Sequence, residues 1–189
     1  MTANPPPLTV ADLLALPDDG TDRWLIRGRL REKEMTKRNR FHSRIEARLA
    51  YLLGNWIDAR PEPRGEVYSD SPGVWLARDP DTAVGIDVVY LGPDVETAQT
   101  DRTTLIEGVP TLAVDILSPD DANGEVNERI DACLSVGVPL VWVVEPYREH
   151  VTVYRPGEPA ALFTLRDEIS AEPHLPGFVL PVARLFRRP

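Results

Sequence analysis

The sequence predicts an α/β protein, a mixed sheet flanked by helices, on three observations. Apolar residues recur at helical spacing in some segments and alternate or run together in others, in the order helix, strands, helix, strands. Residues 111–117 (TLAVDIL) are nearly all apolar, as in a strand buried on both faces. A helical segment then separates that run from a second buried run at 140–144 (LVWVV), which makes it a crossover between two strands of one sheet.

The elements follow in order. Residues 8–16 (LTVADLLAL) predict a short helix opened at Thr9 and closed by Pro17. Residues 24–33 (WLIRGRLREK) alternate and contain Gly28, predicting a strand or a bent hairpin, with a basic turn after it at 36–40. Residues 42–59 form the clearest helix: Ile45, Leu49, Leu52, Leu53, Trp56 and Ile57 make one apolar stripe. At about 100° per residue, His42 and Glu46 fall inside the same arc. Two polar side chains there either overhang a cleft at the helix end or lie at the edge of the stripe and reach solvent. Strands are expected at 74–77, 86–91 and 111–117. Asn123-Gly124 precedes a helix over 125–136, ended by Gly137 with Pro139 beyond. The strands at 140–144 and 151–155 read as a hairpin turning at 145–149, and the tail from Pro173 reads as loop-rich around Pro176-Gly177.

A chain of 189 residues suits one domain, with a core over about 22–156, a short helix before it and the tail after it. Hydrophobic residues at 42% and charged residues at 27% predict a folded globular chain. The lone cysteine, Cys133, excludes an internal disulfide and a zinc site of paired thiolates, which suits the reducing cytoplasm. No stretch approaches the ~20 apolar residues of a membrane span, and residues 1–7 do not resemble a signal peptide. No GxGxxG, GxxxxGK[ST] or GxSxG pattern occurs, which disfavours a nucleotide cofactor and a serine hydrolase.

The net charge of −9 is unevenly spread. Residues 23–48 hold ten Lys and Arg against three Glu, a local charge of +7; the remainder holds eleven against 27 acids, or −16. Such a segment either contacts phosphate or forms a solvated basic face. Two acids stand out from apolar strand-like surroundings: Asp87 in GIDVVYL and Asp115 in LAVDILS. A buried carboxylate requires a partner. On neighbouring strands the two would suit a hard cation such as Mg2+ that activates water against a phosphodiester; singly, each reads as a strand-end acid bonded to backbone or arginine. Arg129 flanks the apolar side of its helix formed by Val126, Ile130, Cys133 and Leu134. It either reaches Asp115 or the scissile phosphate, or runs along the surface.

The ordered blocks FHSRIEARLAYLLGNW, RDPDTAVGIDVVYLG, PTLAVDILSPDD, GVPLVWVVEPYREHVTVYRPG and LPGFVLPVARLF together resemble the Uma-type family of restriction-endonuclease-like proteins. That family, formerly a domain of unknown function, lies within the PD-(D/E)XK nuclease superfamily. The resemblance implies a restriction-endonuclease-like core and a DNA endonuclease dependent on Mg2+ or Mn2+, with a homodimer unsurprising. It implies metal ligands at Asp87, at the position of the PD aspartate, and at Asp115, where the family usually has glutamate. Arg129 falls where a lysine usually sits on the helix, and Glu46 is the extra acid from the first long helix. Arg38, Arg40, His42 and Arg44 would meet the nucleic acid. The departures are Ile86 before Asp87, Asp115 for Glu, Arg129 for Lys and Cys133 for Tyr. Arginine holds a phosphate but cannot accept a proton at ordinary pH. The alternative is therefore a catalytically degenerate relative that binds nucleic acid or a protein, its old metal site filled by an Arg129–Asp115 ion pair.

Overall fold

The computed structural model describes residues 6–34, 39–119, 121 and 123–187. Helix α1 (Val10–Leu14) starts in a capping box between Thr9 and Asp12. Strands β1 (Thr21–Ile26) and β2 (Arg29–Glu34) form a hairpin through Arg27-Gly28, both at positive φ, the geometry of a two-residue turn that follows strand twist. A Cβ on Gly28 would meet Pro7 at 2.4 Å, so the turn needs glycine for space as well as for conformation. Helix α2 (Arg40–Asp58) is capped by Asn39, whose side chain accepts from the Phe41 and His42 N–H groups.

Four strands then follow closely: β3 (Glu66–Ser69), β4 (Gly73–Ala77), β5 (Thr82–Gly85) and β6 (Val88–Leu91). After α3 (Pro93–Thr97) and β7 (Ile106–Glu107) come β8 (Leu112–Ile116), α4 (Asn123–Ser135), β9 (Leu140–Glu145) and β10 (His150–Tyr154). The chain closes with β11 (Ala161–Phe163), β12 (Glu168–Ser170), β13 (Val179–Pro181) and α5 (Ala183–Phe186).

The central sheet has the order β11-β10-β9-β8-β6-β3. Its β8–β9 pair is parallel and bridged by the crossover α4, as the apolar runs predict; its other pairs are antiparallel. A second sheet, β2-β1-β5-β4-β7, and a small β12–β13 pair complete the strands. One face of the central sheet packs Val88, Leu112, Val114 and Trp142 against Ile45, Leu49 and Leu53 of α2. The other packs Val89, Ala113, Val141 and Val143 against Val126, Ile130 and Cys133 of α4 and residues of the second sheet. The fold is thus α/β, with mixed sheets flanked by helices.

Two elements differ from the sequence reading. The expected strand at 86–91 is interrupted: β5 ends at Gly85 in the second sheet and β6 begins at Val88 in the central one. Ile86 and Asp87 carry the chain between sheets. The tail contains the expected turns, yet it also buries Phe178, Leu180, Leu185 and Phe186, with Trp56 of α2 edge-on to Phe178 at 5.9 Å. Among the described residues no helix is long and apolar enough to cross a membrane.

Candidate active site

Register brings the two acids together. Val88 pairs with Val114 across β6 and β8, and continuing that antiparallel register by one residue sets Asp87 across from Asp115. Asp115 shares its side of the sheet with Ala113 and Val141, under α4. There Arg129 Nε donates to Asp115 Oδ2 at 3.0 Å, with Ile86, Ile130 and Cys133 lining the same small cavity. Burial pushes the Asp115 carboxyl up to about 6; Arg129 pulls it down and the nearby Asp87 charge raises it again. The same burial, with Asp115 beside it, pushes the Cys133 thiol up to about 12, so that thiol is inert.

Asp87 has a different setting. Burial works against its charge, but His42, Ser71 and the Ile116 N–H overcome it and hold the carboxyl below its ordinary value. Ser71 Oγ donates to Oδ1 at 2.7 Å and the Ile116 amide to Oδ2 at 2.7 Å. His42 Nε2 stands 3.2 Å from Oδ2. The other ring nitrogen of His42 lies 3.5 Å from Glu46 Oε2, one helical turn on. Glu46 in turn accepts from the Asp70 N–H. Both polar residues on the α2 stripe are therefore buried, His42 at 4% exposure and Glu46 at 8%; the solvent-edge alternative does not hold, because the helix end overhangs the junction between the two sheets.

The structure brings Asp87, Asp115, Arg129, His42 and Glu46 to one end of the central sheet. Arg40 and Arg44 lie on the same first turns of α2, with their guanidinium carbons 4.9 and 5.8 Å from the Phe41 ring centre. Arg38 lies outside the described residues. Much of the rest of the basic segment serves internal contacts: Arg23 binds Asp19 and Glu32, Arg31 binds Glu128, Lys33 binds Asp121 and Glu125, and Arg48 donates to carbonyls of the C-terminal helix region. Sequence reasoning missed Ser71. The run SDSPG marks a turn, and Asp70 and Ser71 do adopt positive φ there, but nothing in it names Asp87 as the target.

The donor chemistry suits a divalent cation: carboxylate oxygens are what Mg2+ and Mn2+ select. Asp115 also remains pushed up to about 6 despite its arginine, a shortfall of positive charge that a cation would relieve. The arrangement is nevertheless a closed one. Arg129 holds Asp115, both Asp87 oxygens accept from protein donors, and among the described residues no three His, Cys, Asp or Glu converge on one point. An ion at Asp115 would have to take over from Arg129 as its counter-charge.

This pairing of acids at a sheet end is set within a chain whose residues 10–183 match the family model Uma2, described as "Putative restriction endonuclease". The chain belongs to the Uma2 family. Its fold is also that of a solved structure described as "a putative nuclease belonging to DUF820 from Anabaena variabilis ATCC 29413". The two share 20% identity and a TM-score of 0.77 over 95% of this chain and 98% of the other. A comparison with curated proteins finds no match.

Proposed function

We propose that this Uma2 protein is a nuclease that hydrolyses DNA phosphodiester bonds with Mg2+ or Mn2+ held by Asp87 and Asp115. The observation that supports it is the register that brings two acids to one sheet end, Asp115 buried and Asp87 half-buried, with the half-buried Arg129 beside one and the buried His42 beside the other. The ion, when bound, supplies an activated water and offsets charge at the phosphorus. Asp87 is kept ionised by its donors. His42 and Glu46 hold Asp87 and the Asp70–Ser71 turn in position. Arg129, released from Asp115, offers a fork of N–H donors to the phosphate oxygens and steadies the charge that develops on them. It cannot serve as the base. A homodimer would supply one site per strand. The cytoplasm suits both DNA as substrate and the lone thiol.

A second reading is favoured by the 3.0 Å Arg129–Asp115 bond: a nuclease fold that binds nucleic acid or a protein without cutting, with arginine permanently in the cation's place. Calorimetric titration with Mn2+ at neutral pH and low salt, on the wild type, Asp87→Ala and Asp115→Ala, separates the two. Binding by the wild type and by neither variant, with cleavage of DNA, supports the nuclease. Failure of the wild type to bind at millimolar Mn2+ with DNA present overturns it in favour of the binding protein.

A further inference from the structure

The end of the central sheet that holds the acids also carries aromatic rings outside the core. Phe41 follows the α2 cap, and Tyr147 sits in the turn between β9 and β10. Their rings meet edge to face at 5.5 Å, and Tyr147 keeps 50% of its surface exposed. The Arg40 and Arg44 guanidinium groups lie over the half-buried Phe41 ring, so Tyr147 offers the open aromatic face, and Arg148, exposed over 76% of its side chain, follows it.

Topology puts this group beside the acids. Strands β8 and β9 are parallel, with Asp115 paired to Val143, and the Leu117 N–H donates to the Val144 carbonyl. The chain leaving β9 toward Tyr147 therefore emerges at the end where β8 presents Asp115. The residue after Phe41 is His42, 3.2 Å from Asp87. The aromatic pair thus lies at the same end of the central sheet as the candidate site on a chain of net charge −9, next to Arg40 and Arg44, for which the internal pairs that engage Arg23, Arg31 and Lys33 are not found among the described residues.

Aromatic faces bracketed by guanidinium groups bind nucleotides in two ways at once. Bases stack on the rings and phosphates pair with the cations. Only an unpaired strand offers base faces; duplex DNA shows its edges and its backbone. We propose that Phe41, Tyr147, Arg40 and Arg44 form a ridge that takes unpaired nucleotides, so that single-stranded DNA is the preferred ligand of this site. The inference rests on the nucleic-acid reading above and adds the strand class.

The test is fluorescence anisotropy in EDTA, which keeps binding apart from cleavage, at low salt on the full chain. The probes are labelled oligothymidylate, a duplex of equal length and an abasic oligonucleotide. The wild type should prefer the single strand to the duplex about tenfold, within the range of base–aromatic stacking. Tyr147→Ala should weaken oligothymidylate about tenfold and change the duplex and abasic probes less than about twofold, while Tyr147→Phe keeps the wild-type affinity. Tyr147 is exposed, so an unchanged melting temperature verifies that the variant is folded. Equal losses on all three probes, or no loss on any, overturn the ridge. So does equally Tyr147-dependent binding of poly-glutamate, which points to an acidic protein partner instead. A wild type that binds as expected but takes up no Mn2+ and cuts nothing leaves the ridge standing and overturns the nuclease; a wild type that binds no probe overturns the ridge whatever the Mn2+ titration gives.

Discussion

Asp115 lies in β8 and Asp87 in the link just before β6, close to it by register, and the fold treats these two aspartates in opposite ways. Asp87 lies where the chain crosses between sheets, so donors reach it from three elements: the Ser71 turn, the β8 backbone and α2. Hydrogen bonds and the attraction of His42 hold it ionised. Asp115 lies one strand over, under α4, in apolar surroundings with one guanidinium against it. One cation offsets only part of its burial, so it ends pushed up to about 6 while Asp87 ends below its ordinary value. A buried acid is stabilised more fully by several aimed donors, one of which also attracts its charge, than by one guanidinium at a single oxygen, and the acid left short is where an added cation or proton has most effect.

The largest expected effect comes from removing that one charge. Arg129→Met leaves Asp115 buried without a counter-charge and should cost about 3–5 kcal/mol in urea denaturation. Adding Asp115→Leu should recover most of it, because an apolar pair has no desolvation cost to offset. If Arg129→Met costs less than about 1 kcal/mol, Asp115 is not the isolated acid described here.

Next is a dependence on pH that separates the two acids. The folded-state carboxyl of Asp115 is raised to about 6 from its ordinary 3.8, so between those values the native state binds more protons than the unfolded state. Stability contributed by this group is therefore lost as pH rises through that window. Asp87 is lowered, so its contribution is present above 3.8 and lost as pH falls. Asp115→Asn should thus gain on the wild type as pH is raised from about 4 to about 6, and Asp87→Asn should lose ground as pH is raised through about 4. Melting temperatures from about pH 3 to about pH 6 check both slopes; parallel curves for the two variants would erase the distinction between the sites.

A smaller effect tests the dipoles themselves. Ser71→Ala removes one of the donors to Asp87 and should cost about 1 kcal/mol at neutral pH, measured by urea denaturation. The loss should shrink as pH falls below 3.8, where a protonated Asp87 no longer needs the acceptor role that Ser71 satisfies.

How much of this was legible follows from what each residue breaks. Asp87 and Asp115 interrupt apolar runs, and His42 and Glu46 interrupt an apolar helix face, so pattern alone marked them. Arg129 was visible from its spacing to Val126 and Cys133. Ser71 was not, because its bond to Asp87 depends on a positive-φ turn that joins one sheet to the other, and a turn signal carries no address. The short strands β5 and β7 lack the length for a period to show. The basic segment misled in part: composition pointed toward phosphate, whereas hairpin register directs Arg31 and Lys33 to acids of the α4 region. The buried tail was hidden by its prolines, which mark turns truthfully yet leave Phe178 and Leu185 free to fill the core against α2.

The smallest effect concerns what holds Arg129 over Asp115. Arg31 of β2 donates through Nε to Glu128 at 2.9 Å, and Lys33 reaches Asp121 at 2.8 Å and Glu125 at 3.3 Å. The β1–β2 hairpin thus braces α4 at the residue before Arg129 and one turn earlier. These pairs are partly exposed, so each is worth little by itself: Glu128→Gln should cost about 0.5 kcal/mol and be masked by salt. Its value lies in coupling. If the brace aims Arg129 at Asp115, the cost of Glu128→Gln should nearly vanish in the Arg129→Met, Asp115→Leu background, where nothing remains to aim. A double-mutant cycle by urea denaturation at low salt reads this directly. An undiminished cost in that background would mean that α4 is set by its apolar face on the sheet, with Val126, Ile130 and Cys133 sufficient to place the arginine without the hairpin.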